Sequence, residues 1–250
     1  MKKILDFKLL ENRELNSNTH LLVLYSAELP ELEAGHFVNA KIDSVFLRRP
    51  ISVCDYDKEK GLVYLLVKIA GKGSLALTQM EKGAELNLIL PLGKPFKMHN
   101  SGRNLLIGGG VGVAPLYFLL KQLKKNGAHA EILIGARTKA DIVMREEFEA
   151  LAEVHYTTED GTWGEKGFPT EHSVLLQKFD HIYCCGPEPM MKAVAAYAVS
   201  GKIDCQVSLE HTMGCGIGAC LCCVTETATG NKCVCTEGAV FNINELKWRI

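Results

Sequence analysis

The chain has 250 residues, of which 47% are hydrophobic, so it can bury one large core or two moderate ones without a metal to hold the fold together. Its formal net charge of −1 provides no basic field for nucleic acid. No stretch approaches about 18 apolar residues, and Asp6, Lys8 and Glu11 interrupt the apolar residues near the start, so we expect neither a transmembrane helix nor a signal peptide. We therefore expect a cytoplasmic protein that binds neither nucleic acid nor membrane.

The first hundred residues predict a domain of β-strands. The predicted strands are short, rich in Val, Ile, Leu and Tyr, and separated by turns of Gly, Pro and charged residues, which favours an antiparallel barrel or sandwich over helices. They cover residues 21–27, 36–42, 51–56, 62–70 and 85–93. We assign this domain to residues 1–100.

From Asn104 onward, predicted strands alternate with amphipathic helices, and such a βαβ series builds a parallel sheet. In the first helix four leucines form one apolar stripe, and Gly127 can end that helix. The stripe consists of Leu116, Leu119, Leu120 and Leu123. Later strands are predicted over 154–158 and 181–186, and later helices over about 141–152 and 188–200. We assign residues 101–205 to this α/β domain and residues 206–250 to a cysteine-rich module.

A glycine-rich turn, GGGVGVAP, lies between a predicted strand and a predicted helix at residues 108–115. Glycines let the backbone approach a phosphate, and a helix N-terminus offers free N–H groups to it. The spacing differs from the G-x-G-x-x-G fingerprint, and a tight turn without a ligand is the alternative. We predict nucleotide binding by Gly109, Gly110, Gly112 and Pro115.

The segment CGPEPM at residues 185–190 ends another strand of the same predicted sheet. Ligands of open α/β sheets bind at the carboxyl ends of the strands, so this segment and the glycine turn together indicate a dinucleotide. Its own pattern fits a plain strand end before a helix equally well. The predicted contacts are Cys185, Gly186 and Pro187.

Most of the ten cysteines lie within residues 215–235. Cys215, Cys220 and Cys223 have the spacing C-x4-C-x2-C, which is typical of plant-type [2Fe–2S] sites with a fourth thiolate later in the chain. Cys233 and Cys235 compete for that position, because residues two apart on a strand point to the same face. A structural zinc site is the alternative, although paired C-x2-C knuckles would be more typical of zinc.

The other cysteines are expected to be small buried apolar side chains. Cys54, Cys184 and Cys205 lie in apolar strand contexts, and Cys222 alternates with its neighbours in the cysteine-rich segment.

With these motifs in one chain, the sequence resembles the ferredoxin-reductase superfamily. Over nearly its whole length it is similar to the electron-transfer subunits of NAD-dependent, heteromeric dihydroorotate dehydrogenases (type 1B). The resemblance implies an α+β multidomain fold. An N-terminal antiparallel β-barrel would bind FAD, an α/β parallel-sheet domain would bind NAD, and a C-terminal cysteine-rich module would bind a [2Fe–2S] cluster.

The resemblance also implies the residues that bind FAD. The family segment Arg-Pro-x-Ser is matched by residues 49–52 after Arg48, and Gly-Lys-Gly-Thr is matched by residues 71–74. An Arg can pair with a pyrophosphate through two hydrogen bonds, while an ordinary strand start with a surface Arg pair is the alternative. The implied FAD residues are Arg49, Pro50, Ile51, Ser52, Val67, Lys68, Ile69, Gly71, Lys72, Gly73 and Ser74.

For the cluster, the resemblance favours Cys235 as the fourth ligand. The family ligand precedes an Asp-Gly-Pro-Val-Phe segment by one residue, and here Cys235 stands in that position before EGAVF at residues 237–241. Glu237 and Ala239 depart from the family pattern but remove no ligand. The implied metal ligands are Cys215, Cys220, Cys223 and Cys235.

The function implied by the resemblance is a relay in pyrimidine biosynthesis. A partner subunit would oxidise dihydroorotate on FMN and pass single electrons through the cluster to FAD, which would reduce NAD⁺ by hydride transfer. The expected assembly is a heterotetramer with two copies of each subunit. Cys185 would lie near the nicotinamide and the flavin as the one predicted catalytic residue, with an unreactive buried thiol as the alternative.

Two other functions stay open at this point. A subunit of an NADPH-dependent ferredoxin or sulfide oxidoreductase would share the fold, FAD and cluster, and a zinc-stabilised binding subunit would have no redox activity. No clear ribose-reading acid follows the second strand of the α/β domain, at Gly135-Ala136-Arg137, so NAD rests on the resemblance alone.

Overall fold

A computed structural model describes residues 2–248, and six antiparallel strands close its first domain into a barrel. These strands are β1 (Lys3–Asn16), β2 (Thr19–Tyr25), β3 (Phe37–Ala40), β4 (Arg49–Asp57), β5 (Leu62–Lys68) and β6 (Glu85–Leu92). They follow one another around the barrel in the order β1-β2-β5-β4-β3-β6. A short helix, α1 (Lys72–Thr78), follows β5.

Strand β1 closes the barrel, because it pairs with β2 along one edge and with β6 along the other. It is missing from the predicted strands. Its buried residues Phe7 and Leu9 alternate with charged ones, and this period of two is the pattern that indicates a strand with one buried face. Helix α1 was not predicted either.

The second domain contains a seven-stranded sheet, and a two-stranded hairpin lies beside it. The remaining strands are β7 (Arg103–Gly109), β8 (His129–Ala136), β9 (Val154–Thr158), β10 (Glu165–Lys166), β11 (His181–Cys185), β12 (Asp204–Ser208), β13 (Val224–Thr227), β14 (Gly230–Cys233) and β15 (Val240–Asn242). The sheet order is β10-β9-β8-β7-β11-β12-β15, in which only β15 is antiparallel to its neighbour. The helices are α2 (Val113–Lys125), α3 (Arg145–Glu149), α4 (Glu188–Gly201) and α5 (Val234–Glu237). Among the described residues, no helix is long and apolar enough to cross a bilayer.

The leucine stripe predicted on the first α/β helix is confirmed, since all four leucines are fully buried on α2. The helix ends at Lys125, just before Gly127 with its φ of +75°. The prediction of a helix over 141–152 is wrong in extent. A separate turn forms over Lys139–Asp141, and Met144 has a φ of +57°, so the helical path begins again only at Arg145.

Helix α2 joins the two domains by packing against β4. The rings of Tyr56 and Phe118 have centroids 6.0 Å apart, and Lys121 Nζ lies 2.6 Å from the Asp55 carboxylate. One continuous hydrophobic core includes residues of both domains. Because the glycine turn leads directly into α2, this packing places the turn beside the barrel strand that begins at Arg49.

The cysteine-rich module packs against both domains. Its strand β15 extends the parallel sheet by pairing with β12, and Gly93 at the end of the barrel approaches the backbone of Gly238. The predicted boundary between residues 205 and 206 falls inside β12, so the module shares a strand pairing with the α/β domain. The division into three domains stays a prediction.

Candidate functional site

A cavity of about 940 Å³ lies where the barrel, the sheet and the cysteine-rich module meet. Every residue predicted to bind FAD lines it except Ile69, whose backbone N–H donates to the Asn18 carbonyl at 2.8 Å. All seven residues predicted to bind the nicotinamide nucleotide line it as well. The fold therefore gathers the four predicted segments around one space.

Arg49 enters this cavity from the start of β4 and lies across the beginning of α1. An ideal Cβ added to Gly73 would stand 2.7 Å from Arg49 Nε, so a larger residue there would displace the Arg49 side chain from this position. The Ser74 hydroxyl accepts hydrogen bonds from the N–H groups of Ala70 and Gly71 at 2.8 Å and 3.1 Å. The Gly-Lys-Gly-Ser segment is thus a folded turn that holds Arg49 and Lys72 on the cavity wall.

Arg48, which precedes the predicted FAD segment, stabilises the barrel instead. Its Nη1 donates to the carbonyls of Asn39 and Asn87, both at 3.1 Å, and so joins β3 to β6. The two neighbouring arginines therefore have separate roles.

A second cavity, of about 460 Å³, lies at the carboxyl ends of β7, β8 and β9. Its wall includes Arg137 and Asp141. The residues that line both cavities are Lys68, Gly109, Gly110, Val111 and Pro187. A ligand in the second cavity can therefore meet a ligand in the first at the glycine turn.

Two glycines of the turn are required for different reasons. Gly112 packs against the strand end at Cys185, where an added Cβ would lie 2.4 Å from the Cys185 carbonyl oxygen. Gly110 has a φ of +54° and no atom within 4 Å of the Cβ position, so its backbone borders open space in both cavities. Such a bare backbone fits the close approach of a phosphate.

Cys185 lies on the wall of the large cavity but is a poor nucleophile in this protein. Burial first, and then the Glu210 carboxylate, raise the pKa of its thiol to about 12 against the effect of a hydrogen bond with Ser208. At neutral pH the side chain is a neutral thiol, so any catalytic part it plays is contact with bound ligands rather than thiolate chemistry.

The cysteines of the module form two groups: Cys215 lies beside Cys220, and Cys223 lies beside both Cys233 and Cys235. The N–H of Cys215 donates to Cys220 Sγ and the N–H of Cys220 to Cys215 Sγ, each at 3.4 Å, and the N–H of Cys235 donates to Cys223 Sγ at 3.4 Å. Desolvation opposes ionisation of Cys215, but backbone N–H groups of Ile217, Cys220 and Ala219 and the Cys220 thiol lower its pKa to about 6. These hydrogen bonds favour the thiolate form of Cys215, which is the form that binds iron.

This pairing favours an iron–sulfur cluster over zinc. Tetrahedral zinc with Zn–S bonds of about 2.3 Å would hold all four sulfurs about 3.8 Å from one another. Within residues 2–248, no three cysteine sulfurs lie mutually within 4.8 Å. Two separate groups, Cys215 with Cys220 and Cys223 with Cys233 and Cys235, suit a two-iron cluster in which each iron takes two thiolates.

The other cysteines lie partly in the core and partly at the surface. Cys54, Cys184 and Cys205 are fully buried in the core, as predicted. Cys222 was predicted to be buried, and this is wrong: it is exposed, because the loop after Cys220 turns outward through Leu221, which has a φ of +58°. Cys233 is partly exposed beside Cys223, while Cys235 is fully buried in α5.

Comparison with known families identifies two parts of the chain. The description "Oxidoreductase NAD-binding domain" matches residues 106–196, and "Iron-sulfur cluster binding domain of dihydroorotate dehydrogenase B" matches residues 210–247. The "Dihydroorotate dehydrogenase B (NAD(+)), electron transfer subunit" of Clostridium perfringens is 38% identical, over 96% of this chain and 97% of its own. The protein of the same name from Shouchella clausii is 35% identical, over 95% and 96%. The chain belongs to the family of dihydroorotate dehydrogenase B electron-transfer subunits.

Solved structures agree with this family assignment. A structure described as an NADH-dependent reduced ferredoxin–NADP oxidoreductase superposes with a TM-score of 0.89 and 30% identity, covering 97% of this chain and 90% of the other. A ferredoxin reductase of carbazole 1,9a-dioxygenase, at 22% identity and a TM-score of 0.72, covers 81% and 67% and shows the shared fold. The predicted fold, the oxidoreductase class and the set of NAD, FAD and an iron–sulfur cluster are thereby confirmed for this electron-transfer subunit.

Two residues of the site were missed in the sequence. Glu210 lines the large cavity near Cys185 and Lys68; desolvation raises the pKa of its carboxyl, and Lys68 partly offsets that effect. Asp141 lies in the second cavity with its Oδ1 3.2 Å from Arg137 Nη2. Glu210 ends the segment Ser208-Leu209-Glu210 shortly before the first cysteine of the module, and this nearness was the available signal. Asp141 had no such signal, because only the turn over Lys139–Asp141 brings it back to the strand end.

Proposed function

We propose that this chain is the electron-transfer subunit of a heteromeric dihydroorotate dehydrogenase, which accepts electrons from an FMN-containing catalytic subunit and delivers them to NAD⁺ in pyrimidine biosynthesis. The observation that carries the proposal is the large cavity, where the barrel segment, the glycine turn and the loop leading to the paired cysteines form one wall. When bound, FAD exchanges a hydride with the nicotinamide and single electrons with the cluster.

The residues of the cavity have distinct proposed roles. Arg49 and Lys72 supply positive charge for the FAD pyrophosphate, and Ser52 supplies a hydroxyl beside it. Gly110 lets the dinucleotide phosphates approach the start of α2, and Cys185 packs where flavin and nicotinamide meet. These residues bind, orient and exclude water, since the cofactors supply the redox chemistry.

The cluster site is proposed to consist of Cys215 with Cys220 on one iron and Cys223 with Cys235 on the other. The donor set fits, since Cys215 lies beside Cys220, Cys235 lies beside Cys223, and backbone N–H groups surround Cys215 Sγ. Cys235 is preferred over Cys233 because it is buried and its N–H donates to Cys223 Sγ at 3.4 Å, whereas Cys233 is partly exposed.

The preference for NAD is proposed to depend on Asp141. A carboxylate near the end of the second strand accepts hydrogen bonds from the ribose hydroxyls of NAD and repels the 2′-phosphate of NADP. Asp141 also forms an ion pair with Arg137, a cation on the cavity wall that could attract such a phosphate.

The contact with the catalytic subunit is proposed to lie around the cluster. Ile217 and Leu221 flank the cysteine ligands with 54% and 64% of their surface exposed, which is unusual for aliphatic side chains so close to a metal site. A heterotetramer with two copies of each subunit in the cytoplasm is the assembly that we propose, with the cluster facing the partner.

Coexpression with the native FMN-containing subunit tests the proposal. The purified complex should contain FAD, FMN and iron–sulfur absorption and should reduce NAD⁺ when dihydroorotate is added. In the matched variant Cys223→Ser, NADH oxidation with an artificial acceptor should continue while dihydroorotate-dependent turnover is lost. A fully loaded complex that does not turn over dihydroorotate would rule the proposal out.

A ferredoxin-linked oxidoreductase subunit is the second candidate. The 30% identical structure described as an NADH-dependent reduced ferredoxin–NADP oxidoreductase favours it, as does Arg137 in the second cavity. Reduction of ferredoxin or NADP⁺ by the native complex, together with no reaction with dihydroorotate, would select this candidate.

A further inference from the structure

Asn39 lies within the barrel strand β3 and is fully buried. Neither Nδ2 nor Oδ1 of its side chain has a hydrogen-bond partner. Among residues 2–248, it is the one buried side chain that leaves both a donor and an acceptor atom unpaired. A buried amide without partners is less favourable than an apolar side chain of the same size, so this position calls for an explanation.

The unpaired amide faces the loop that carries the first cluster ligand. Gly216, which follows Cys215, has a φ of +72°, and an ideal Cβ on it would stand 2.8 Å from Asn39 Nδ2. The loop therefore rests directly on Asn39. Its backbone is already a set of donors, because the N–H groups of Ile217 and Ala219 point at Cys215 Sγ from 3.4 Å and 3.3 Å.

Asn39 also lies next to residues that line the large cavity. Asn39 on β3 pairs with Pro50 on β4, and Phe37 pairs with Ser52. Phe37, Pro50 and Ser52 line the large cavity, whereas Asn39 does not. Arg48 holds the Asn39 carbonyl at 3.1 Å and fixes the strand there. Asn39 thus lies between the proposed flavin segment and the proposed cluster loop.

We propose that the Asn39 amide is a positioning residue that donates a hydrogen bond to the sulfur atoms of the bound cluster on the Cys215 side. The inference rests on the proposed cluster site. A donor to these sulfurs stabilises the reduced cluster, which carries one more negative charge, and so raises its reduction potential. Asn39 then sets how readily the cluster accepts an electron, in addition to holding the loop.

The test uses the full-length chain loaded with FAD and cluster, and its readout is an EPR-monitored redox titration. Asn39→Leu removes both polar atoms at similar volume. We expect about a tenfold shift of the reduction equilibrium toward the oxidised cluster, which is about 59 mV for one electron, together with altered g-values. The metal-free full chain should melt no lower than the native one, because the variant removes an unpaired amide.

Asn104→Leu is the matched control. Asn104 is also a fully buried asparagine, but it lies in β7, and its Nδ2 donates to the carbonyls of His99 and His129 at 3.1 Å and 2.9 Å. This variant should lower the melting temperature with and without cluster while leaving the potential unchanged. If Asn39→Leu does not retain the cluster, the reduction potentials of Asn39→Ser and Asn39→Ala are compared instead. Only the serine keeps a hydrogen-bond donor, so its cluster should have the higher reduction potential of the two.

Two results would overturn the inference: an unchanged potential and EPR spectrum in iron-replete Asn39→Leu, or equal potentials in the serine and alanine variants. A normal [2Fe–2S] spectrum without dihydroorotate turnover would defeat the proposed function alone and leave the role of Asn39 testable. A colourless zinc protein would defeat both.

Discussion

Replacing Gly112 by alanine should separate the glycine turn from the strand end that it touches. The new Cβ would lie 2.4 Å, 2.6 Å and 2.7 Å from the carbonyl oxygen and carbon of Cys185 and the Cα of Gly186. All three are backbone atoms, which cannot rotate away as a side-chain tip can. The start of α2 or the end of β11 must therefore move.

The loss of stability in Gly112→Ala follows from the effect of overpacking in well-packed cores. Inserting a methyl group into such a contact costs typically about 1–3 kcal/mol, and the upper end applies here because the neighbours are backbone. For a chain of this length, about 1 kcal/mol corresponds to about 2–4 °C in melting temperature. Gly112→Ala should therefore melt about 6–12 °C below the native protein.

Two other glycines provide matched controls. Gly127 lies outside both cavities, has a φ of +75°, and has no atom within 4 Å of its Cβ position. Gly127→Ala should therefore lower the free energy of unfolding by only about 1–2 kcal/mol, through left-handed strain. Gly110→Ala carries similar strain but adds its methyl group to open space in both cavities. It should melt like Gly127→Ala and yet bind NADH about tenfold more weakly, because the backbone no longer approaches a phosphate.

Thermal melting and NADH titration of the three variants distinguish steric, conformational and ligand effects. If Gly112→Ala melts within about 2 °C of Gly127→Ala, Gly112 does not pack tightly against the backbone of Cys185 and Gly186. Equal NADH affinity in Gly110→Ala and Gly127→Ala would show that no phosphate lies over the turn.

Three further predictions concern the cluster and the two cavities. Cys235→Ser should lose the [2Fe–2S] absorption whereas Cys233→Ser keeps it, and the opposite result in iron analysis would make Cys233 the fourth ligand. The pKa of Glu210 is raised in the folded state, so the folded protein binds this proton more tightly than the unfolded chain does. The ionised carboxylate therefore lowers the stability of the fold once the pH rises above the pKa of Glu210 in the unfolded chain. The melting-temperature gain of Glu210→Gln over the native protein should therefore grow from pH 4 to pH 7, and a gain independent of pH would refute this assignment. Asp141→Asn frees Arg137 and should raise the ratio of NADPH to NADH activity about tenfold; an unchanged ratio in steady-state kinetics would exclude Asp141 as the residue that reads the ribose.

Local pattern was enough to predict most elements of the chain. The stripe of four leucines predicted α2, and strand composition predicted β9 within its observed bounds, because hydrophobic periodicity reports directly on which face is buried. Where side-chain pattern conflicted with backbone geometry, prediction was less successful. The helical pattern around residues 141–152 does not reveal that Met144 takes a left-handed conformation. Strand β1 was missed for another reason: its alternation of buried and charged residues is confined to a short segment around Phe7 and Leu9.

The sequence by itself determined which groups are candidates for the chemistry: the C-x4-C-x2-C thiols, the glycine turn and, through resemblance, the Arg-Pro-x-Ser segment, because such sites need particular atoms at short spacing. Only the tertiary structure decided how distant segments meet. The packing of α2 on β4 places the glycine turn beside the strand that begins at Arg49, the pairing of β15 with β12 brings Cys235 to Cys223, and β3 carries Asn39 beneath Gly216. These contacts join residues that are far apart along the chain, and no local pattern specifies them, since they follow from the burial of a common core.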